Sequence, residues 1–259
     1  MYIIFTDLDG TLLDENYSYS EALPALNVLR EKNIPIIFCS AKTRTEQEVI
    51  REEMRIHHPF IAEDGSAIYI PAGYFGKRVG EVVNGYEVVV LGVRFGEIQK
   101  EIERLKKKYK IRGYYDMSDE EVARITGLSL EGAKRAKQRE FSETIVEADE
   151  EALEELKEKF NVVIGGRFIH IFGKGADKGK AVRILTDMYR ESSKEVTTIG
   201  IGNSYNDEPM LRAVDIPAIV KNPDGKWADV KIENIYKAEG IGPRGWAEVV
   251  KKFVLNAGE

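Results

Sequence analysis

The N-terminal run Tyr2-Ile-Ile-Phe-Thr-Asp7-Leu-Asp9-Gly10-Thr11 constrains this chain more than any other stretch. A short, continuous apolar run rich in β-branched residues predicts a strand buried on both faces, as at the centre of a parallel sheet. The run ends in two carboxylates one residue apart, Asp7 and Asp9. Unpaired charge at the end of a buried strand is costly to desolvate. A divalent cation there would remove the conflict, and in open α/β sheets ligands bind at that end of the strands. An ordinary Asp-Gly turn accounts for the same residues, so the rest of the chain must decide.

With 259 residues, 43% of them hydrophobic and 32% charged, the chain is long enough for one large domain or two smaller ones with a charged surface. A formal net charge of -6 argues against nucleic acid or a membrane surface as the main partner. No apolar run approaches the ~18 residues of a membrane span. Asp7 and Asp9 interrupt the first apolar stretch, which argues against a signal peptide. The single cysteine, Cys39, excludes an internal disulfide and fits a reducing, cytoplasmic setting. Inside an apolar strand it reads as a buried structural thiol. Scarce Gln beside abundant Lys, Glu and Arg leans towards a heat-adapted, thermophile source.

Ala22, Ala25, Leu26 and Leu29 fall at helical spacing, with Ser20 as N-cap and Pro24 in the first turn. Ile34 to Cys39 reads as a second buried strand, so the two strands and the helix make a βαβ unit. Ser40 then stands beside the end of the first strand. Thr43 and Glu46 have capping-box spacing for a helix running to about Met54. Ser40, with Lys42 and Arg44 close by, is either a simple capping turn or an anion cradle. His57-His58 is not read as a metal pair, because no third ligand lies at a known spacing. Glu63-Asp-Gly-Ser66 reads as a turn opening a hairpin.

From about Glu81 the pattern changes to α+β, with strands near 86–91, 144–146, 162–164 and 168–172. Helices are expected at 95–109, after the capping box Ser118–Glu121, at 131–140 and at 150–160. Lys134, Arg135, Lys137 and Arg139 read as a solvated helix face. The fold class expected is α/β. A Rossmann-like parallel-sheet core with helices on both faces comprises 1–81 and 171–259, and an inserted α+β domain comprises 82–170.

Gly173 to Lys180 superficially resembles a P-loop, but the glycine spacing is wrong and Ala181 stands where Ser or Thr should be. Lys178 falls in the first turn of a helix, where a cation is unfavourable unless it has an anionic partner. A third strand, Val196 to Ile201, ends in Gly202-Asn203-Ser-Tyr-Asn206-Asp207. Ile216 to Val220 is a further strand, and Pro243 to Leu255 a terminal helix.

Taken in order, Asp7-x-Asp9-Gly-Thr, Ser40, Lys178 and Gly-Asn203-x-x-Asn206-Asp207 resemble the motifs of the haloacid dehalogenase-like phosphatases. More narrowly, the chain is similar to the branch with a large α+β cap between the second and third motifs. The stretches 40–46, 63–68, 139–144, 165–170 and 174–179 are similar to those of the mannosyl-3-phosphoglycerate phosphatases. That family forms mannosylglycerate, a compatible solute, and related members accept the glucosyl substrate.

The resemblance implies that Asp7 is the nucleophile, forming an aspartyl phosphate, and that Asp9 is the general acid and base. Ser40 would donate to a phosphoryl oxygen and Lys178 would neutralise another. Mg²⁺ would be held by Asp7, the backbone carbonyl of Asp9, Asn203 and Asp207. Lys42, Arg44, Ser66 and Asn206 are implied as further substrate-binding residues. Arg139, Arg167, His170 and Lys174 are the candidates for the sugar-glycerate end, with Glu140 and Glu143 as sugar-hydroxyl acceptors or partners for the arginines. The implied partner is thus a small phosphorylated sugar-glycerate. One departure stands out: Asn203 occupies a position where the family usually has Asp, so the metal site loses a charge. A general sugar-phosphate phosphatase, a phosphomutase and a non-catalytic phospho-ligand sensor are the alternatives.

Overall fold

The computed structural model describes residues 1–165, 168–193 and 195–256. The chain begins β1 (Tyr2–Thr6), α1 (Leu23–Glu31), β2 (Ile36–Phe38), α2 (Arg44–Glu53), β3 (Phe60–Ala62), β4 (Ala67–Pro71), β5 (Glu81–Val83) and β6 (Tyr86–Val90). It continues α3 (Phe95–Leu105), β7 (Ile111–Gly113), α4 (Asp119–Thr126), α5 (Leu130–Ala136), β8 (Ser142–Ala148), α6 (Glu150–Lys159), β9 (Phe160–Gly165) and β10 (Phe168–Gly173). The last part is α7 (Lys178–Ser192), β11 (Thr197–Gly202), α8 (Glu208–Leu211), β12 (Ile216–Lys221), β13 (Tyr236–Ile241) and α9 (Gly242–Val250).

β1 lies inside a five-stranded sheet of order β13-β12-β11-β1-β2, and all its pairings are parallel. Alternation along β1 sends Ile4 to one face, among Leu29, Phe38 and Trp246, and Ile3 and Phe5 to the other, among Val182, Leu185 and Met210. Helices α1 and α9 therefore cover one face, and α7 and α8 the other. Ile3, Ile4 and Phe5 are fully buried, each contributing roughly 1.5–3 kcal/mol of transfer free energy. Trp246 locks α9 onto the sheet by donating its indole N–H to Thr6 Oγ1 at 3.0 Å.

The inserted segment folds around an antiparallel sheet of order β7-β8-β10-β9. Helices α3 and α6 pack on one face through Ile98, Ile102, Leu105 and Leu156, against Ile145 and Ile171 of the sheet. On β8 and β10, Ile169 pairs with Ile145 and His170 with Thr144. Thr144 and His170 thus share the face turned away from those helices.

Several expectations change. β6, within the segment expected to belong to the insertion, hydrogen-bonds along β4 in the sheet β3-β4-β6-β5. A change in local pattern does not reveal which earlier strand a hairpin will pair with. Ser20 does not cap α1; it begins a short 3₁₀ turn ahead of the helix. The expected helix 131–140 ends at Ala136, so Arg139 is no part of a solvated helix face and is buried beyond its end. β5, β7 and the edge strand β13 are additions to the sequence reading. Among the described residues, no helix is long and apolar enough to cross a membrane.

Candidate active site

The register of the parallel sheet assembles the site. Thr6 pairs with Phe38 on one side and with Ile201 on the other. The ladder continues as Cys39 N–H donates to Thr6 O at 2.8 Å and Asp7 N–H to Ile201 O at 3.0 Å. Asp7, Ser40 and Asn203, the residues just beyond the three strand ends, are thereby neighbours. By the same alternation Asp7 shares the α7 face of the sheet. Lys178, first residue of α7 and buried, donates to Asp7 Oδ1 at 2.9 Å and to Asp207 Oδ1 at 2.7 Å. These carboxylates are the anionic partners that its place in a helical first turn demanded.

A cavity of about 340 Å³ opens above this layer, lined on the core side by Asp7, Asp9, Ser40, Lys42, Asn203 and Asn206. Tyr114, Arg139, Thr144, Phe168 and His170 of the inserted segment form its other wall. Asp9 has a half-exposed side chain, 53% accessible, and its Oδ2 lies 2.9 Å from Lys42 Nζ. Ser40 Oγ accepts the Lys42 N–H at 3.3 Å. Gly10, with φ +77°, turns the chain between Asp9 and Thr11, and a Cβ there would lie 2.5 Å from Asn203 Nδ2. Only glycine combines that conformation with that approach.

Burial, then Asp207, push the Asp7 carboxyl up to about 7, against the opposing pull of Lys178. Burial lowers Lys178, but Asp207 and Asp7 outweigh it and hold the ammonium well above its ordinary value. The core therefore keeps a buried cation in contact with a buried carboxyl group. Mg²⁺ takes oxygen donors and is commonly held by one or two carboxylates together with water and substrate phosphate. Among the described residues there is no group of three or more His, Cys, Asp and Glu side chains suited to a metal. The oxygens of Asp7, Asn203 and the Asp9 loop nevertheless fit Mg²⁺.

The two expected ligands from the third strand end stand at different depths. Asn203 lines the cavity, with Oδ1 accepting from Thr11 Oγ1 at 3.0 Å and Nδ2 donating to Asn222 Oδ1 at 2.8 Å. Asp207 is fully buried behind it. Its Oδ2 accepts the N–H groups of Asn203 and Ser204 at 3.0 and 3.1 Å, while Oδ1 holds Lys178. In this arrangement Asp207 fixes the loop and the lysine.

Other expected residues are not brought to the cavity. The Arg44 guanidinium is engaged by Glu48 at 2.8 Å and by Glu140 at 2.8 Å, so Glu140 takes the place of an arginine's partner rather than of a sugar acceptor. Ser66 is buried under the connection to the inserted segment, where its carbonyl accepts from Leu91 and Gly92. Lys174 is exposed on a turn. Glu143 faces the helices: Gln99 donates to Oε2, and burial raises the carboxyl to about 7. Arg167 lies outside the described residues. Thr144, Tyr114, Phe168 and Asn222 were missed. Thr144 was accessible through the period-2 pattern, since it occupies the face and level of His170.

One turn ties these parts together. Glu63, fully buried between β3 and β4, accepts the N–H groups of Glu140 and Phe141 and the Ser142 hydroxyl. Asp64 Oδ2 lies 3.5 Å from His170 Nδ1.

Comparison with known proteins fits this geometry. The sequence matches the haloacid dehalogenase-like hydrolase family over residues 4–78 and 88–228. The chain belongs to that family. It is 46% identical to the glucosyl-3-phosphoglycerate/mannosyl-3-phosphoglycerate phosphatase of Methanococcoides burtonii, spanning 98% of this chain and 97% of that one. It is 41% identical to the mannosyl-3-phosphoglycerate phosphatase of Pyrococcus furiosus, spanning 97% and 99%. A crystal structure from Thermoplasma acidophilum shares the fold with a TM-score of 0.70 at 18% identity, over 98% of this chain and 99% of the other. The family resemblance read from the motifs is thereby established, and so is the mixed α/β fold with its parallel central sheet.

Proposed function

We propose that this hydrolase is a Mg²⁺-dependent phosphatase that removes phosphate from a glycosyl-3-phosphoglycerate, mannosyl or glucosyl. The observation that carries the reading is the placement of Asp7 on the floor of a cavity whose opposite wall holds Arg139 and His170. The relatives at 46% and 43% identity are named for both sugars, which supports including the glucosyl substrate. We place the core at residues 1–90 and from 174 onward, with the cap between.

Asp7 attacks phosphorus through a carboxylate oxygen, the ester oxygen leaves with a proton from Asp9, and an aspartyl phosphate forms on Asp7. Asp9, half-exposed at the cavity, then takes a proton from the water that attacks this intermediate. Ser40 donates to a phosphoryl oxygen, and Lys178 holds Asp7 in position from beneath. Asp7, Asn203 and the Asp9 carbonyl would hold Mg²⁺, with Asp207 organising their loop. The ion, when bound, offsets repulsion between the Asp7 carboxylate and the phosphate dianion. Positioning and charge stabilisation do most of the work in such transfers. Arg139 supplies a cation for the glycerate carboxylate, and Thr144 and His170 offer polar groups to the sugar.

The test is phosphate release from mannosyl-3-phosphoglycerate, glucosyl-3-phosphoglycerate and simple sugar phosphates, with Mg²⁺ and with a chelator. The glycosyl-3-phosphoglycerates should be favoured by orders of magnitude in kcat/KM, and the chelator or Asp7→Asn should abolish release. Equal rates across the panel would point to a general sugar-phosphate phosphatase.

A further inference from the structure

The turn between β3 and β4 holds three successive residues in the left-handed region: Glu63 at φ 50°, Asp64 at 58° and Gly65 at 86°. Two of them carry side chains, and such backbone persists only where its surroundings over-determine it. Here the surroundings are three separate parts of the site. The N–H groups of Glu63 and Asp64 donate to Lys42 O and Ser40 O, both at 3.2 Å, and so pin the loop that carries the Ser40 hydroxyl. Gly65 packs against the start of α7, where a Cβ would lie 2.3 Å from the Asp177 carbonyl carbon. The Glu63 side chain crosses to the cap.

The crossing is specific. Glu63 Oε1 accepts the Glu140 N–H at 2.9 Å, and Oε2 accepts the Phe141 N–H at 3.0 Å and the Ser142 hydroxyl at 2.5 Å. Ser142 Oγ in turn accepts Arg139 Nε at 2.8 Å, and that Nε stands 3.8 Å from Glu63 Oε2. Arg139 NH2 donates to Ala41 O at 2.7 Å, back on the core. A ring of bonds thus runs from the core turn through Ser142 to Arg139 and returns to the Ser40 loop. A carboxylate suits this place because every partner it meets is a donor or a cation.

We propose that Glu63 is a positioning residue that acts through Ser142 and Arg139, setting the guanidinium in the cavity wall each time the cap closes on the core. Recognition of the substrate's carboxylate end is thereby coupled to closure of the cap on the core. The inference rests on the proposed reading in that the substrate carries both a phosphate and a carboxylate. It goes further by assigning a core residue the task of presenting the cap's arginine.

Glu63→Gln places an amide donor against donors and removes the charge facing Arg139. Ser142→Ala breaks the relay and leaves Glu63 in place. Each variant is assayed with Mg²⁺ on mannosyl-3-phosphoglycerate and on para-nitrophenyl phosphate, which has neither sugar nor carboxylate. Hydrogen exchange at the amides of Glu140 and Phe141 is followed in parallel. Glu63→Gln should raise KM for the carboxylate-bearing substrate by tenfold or more, change the small ester's kcat/KM by less than threefold, and speed exchange at both amides by at least tenfold. Ser142→Ala should move KM in the same direction by a smaller factor, and it decides the matter if Glu63→Gln does not fold. A parallel fall on both substrates would reduce Glu63 to a structural contact, and unchanged KM and exchange would overturn the proposal. If the wild type spares mannosyl-3-phosphoglycerate altogether, the substrate reading fails by itself. Unchanged amide exchange in the variants would then still refute the clasp.

Discussion

Replacing Lys178 with methionine keeps most of the side-chain volume and removes the charge that separates two buried carboxylates. The ammonium lies 2.9 Å from Asp7 Oδ1 and 2.7 Å from Asp207 Oδ1. At an effective dielectric of about 20, each attraction is worth about 6 kcal/mol gross. Desolvating the ammonium offsets several kcal/mol of this, and breaking a buried ion pair from one side typically costs about 3–5 kcal/mol. We therefore expect Lys178→Met to destabilise the metal-free core by about 4 kcal/mol. With a urea m-value of roughly 3 kcal/mol/M, the midpoint falls by more than about 1 M. Tryptophan fluorescence follows the unfolding, since Trp246 is buried against Thr6 in the core and Trp227 packs on β13. The measurement is urea unfolding in a chelator, repeated for Asp207→Asn and for the double variant. Asp207→Asn should recover part of the loss, because it removes one of the two charges left facing each other. A midpoint shift under about 0.2 M, or strictly additive variants, would refute the claim that this cation compensates the pair.

Two further outcomes are expected. Glu143 has a folded-state carboxyl raised from 4.5 to about 7, first by burial. It therefore supports the fold fully below its unfolded value and withdraws that support as pH rises through about 7, at most ~3 kcal/mol. Glu143→Gln should leave the melting temperature unchanged at pH 4 and raise it by several degrees at pH 8.5; equal shifts at both values would contradict the sign. Gly10→Ala forces a Cβ into a left-handed backbone and against Asn203 Nδ2. It should raise the Mg²⁺ concentration for half-maximal activity by more than tenfold, read from a metal titration of phosphate release; an unchanged titration would detach Gly10 from the metal loop.

Local chemistry in the sequence was enough for the core of the fold and the floor of the site. Apolar runs ending in Asp7, Ser40 and Asn203 announce buried parallel strands whose ends must meet, because strand register brings residues just past paired positions together. Lys178 was legible as a cation in a helical first turn, which needs an anion nearby. The turn glycines and the Thr43–Glu46 capping box are likewise local signals, and α2 starts where they say.

Only the tertiary structure decided which polar residues face the cavity. Arg44 and Arg139 look alike in sequence, but one is engaged by Glu48 and Glu140 while the other enters the cavity wall. A charge run gives no sign of where its helix stops, and Arg139 lies just past the end of α5. The depth difference between Asn203 and Asp207 follows from a loop folded back on its own amides. The pairing of β6 with β4 and the reach of Glu63 into the cap join residues far apart in the chain. Pattern within a segment fixes which face is apolar. The partner met by a polar side chain on the other face depends on how separate segments pack, and no single segment encodes that.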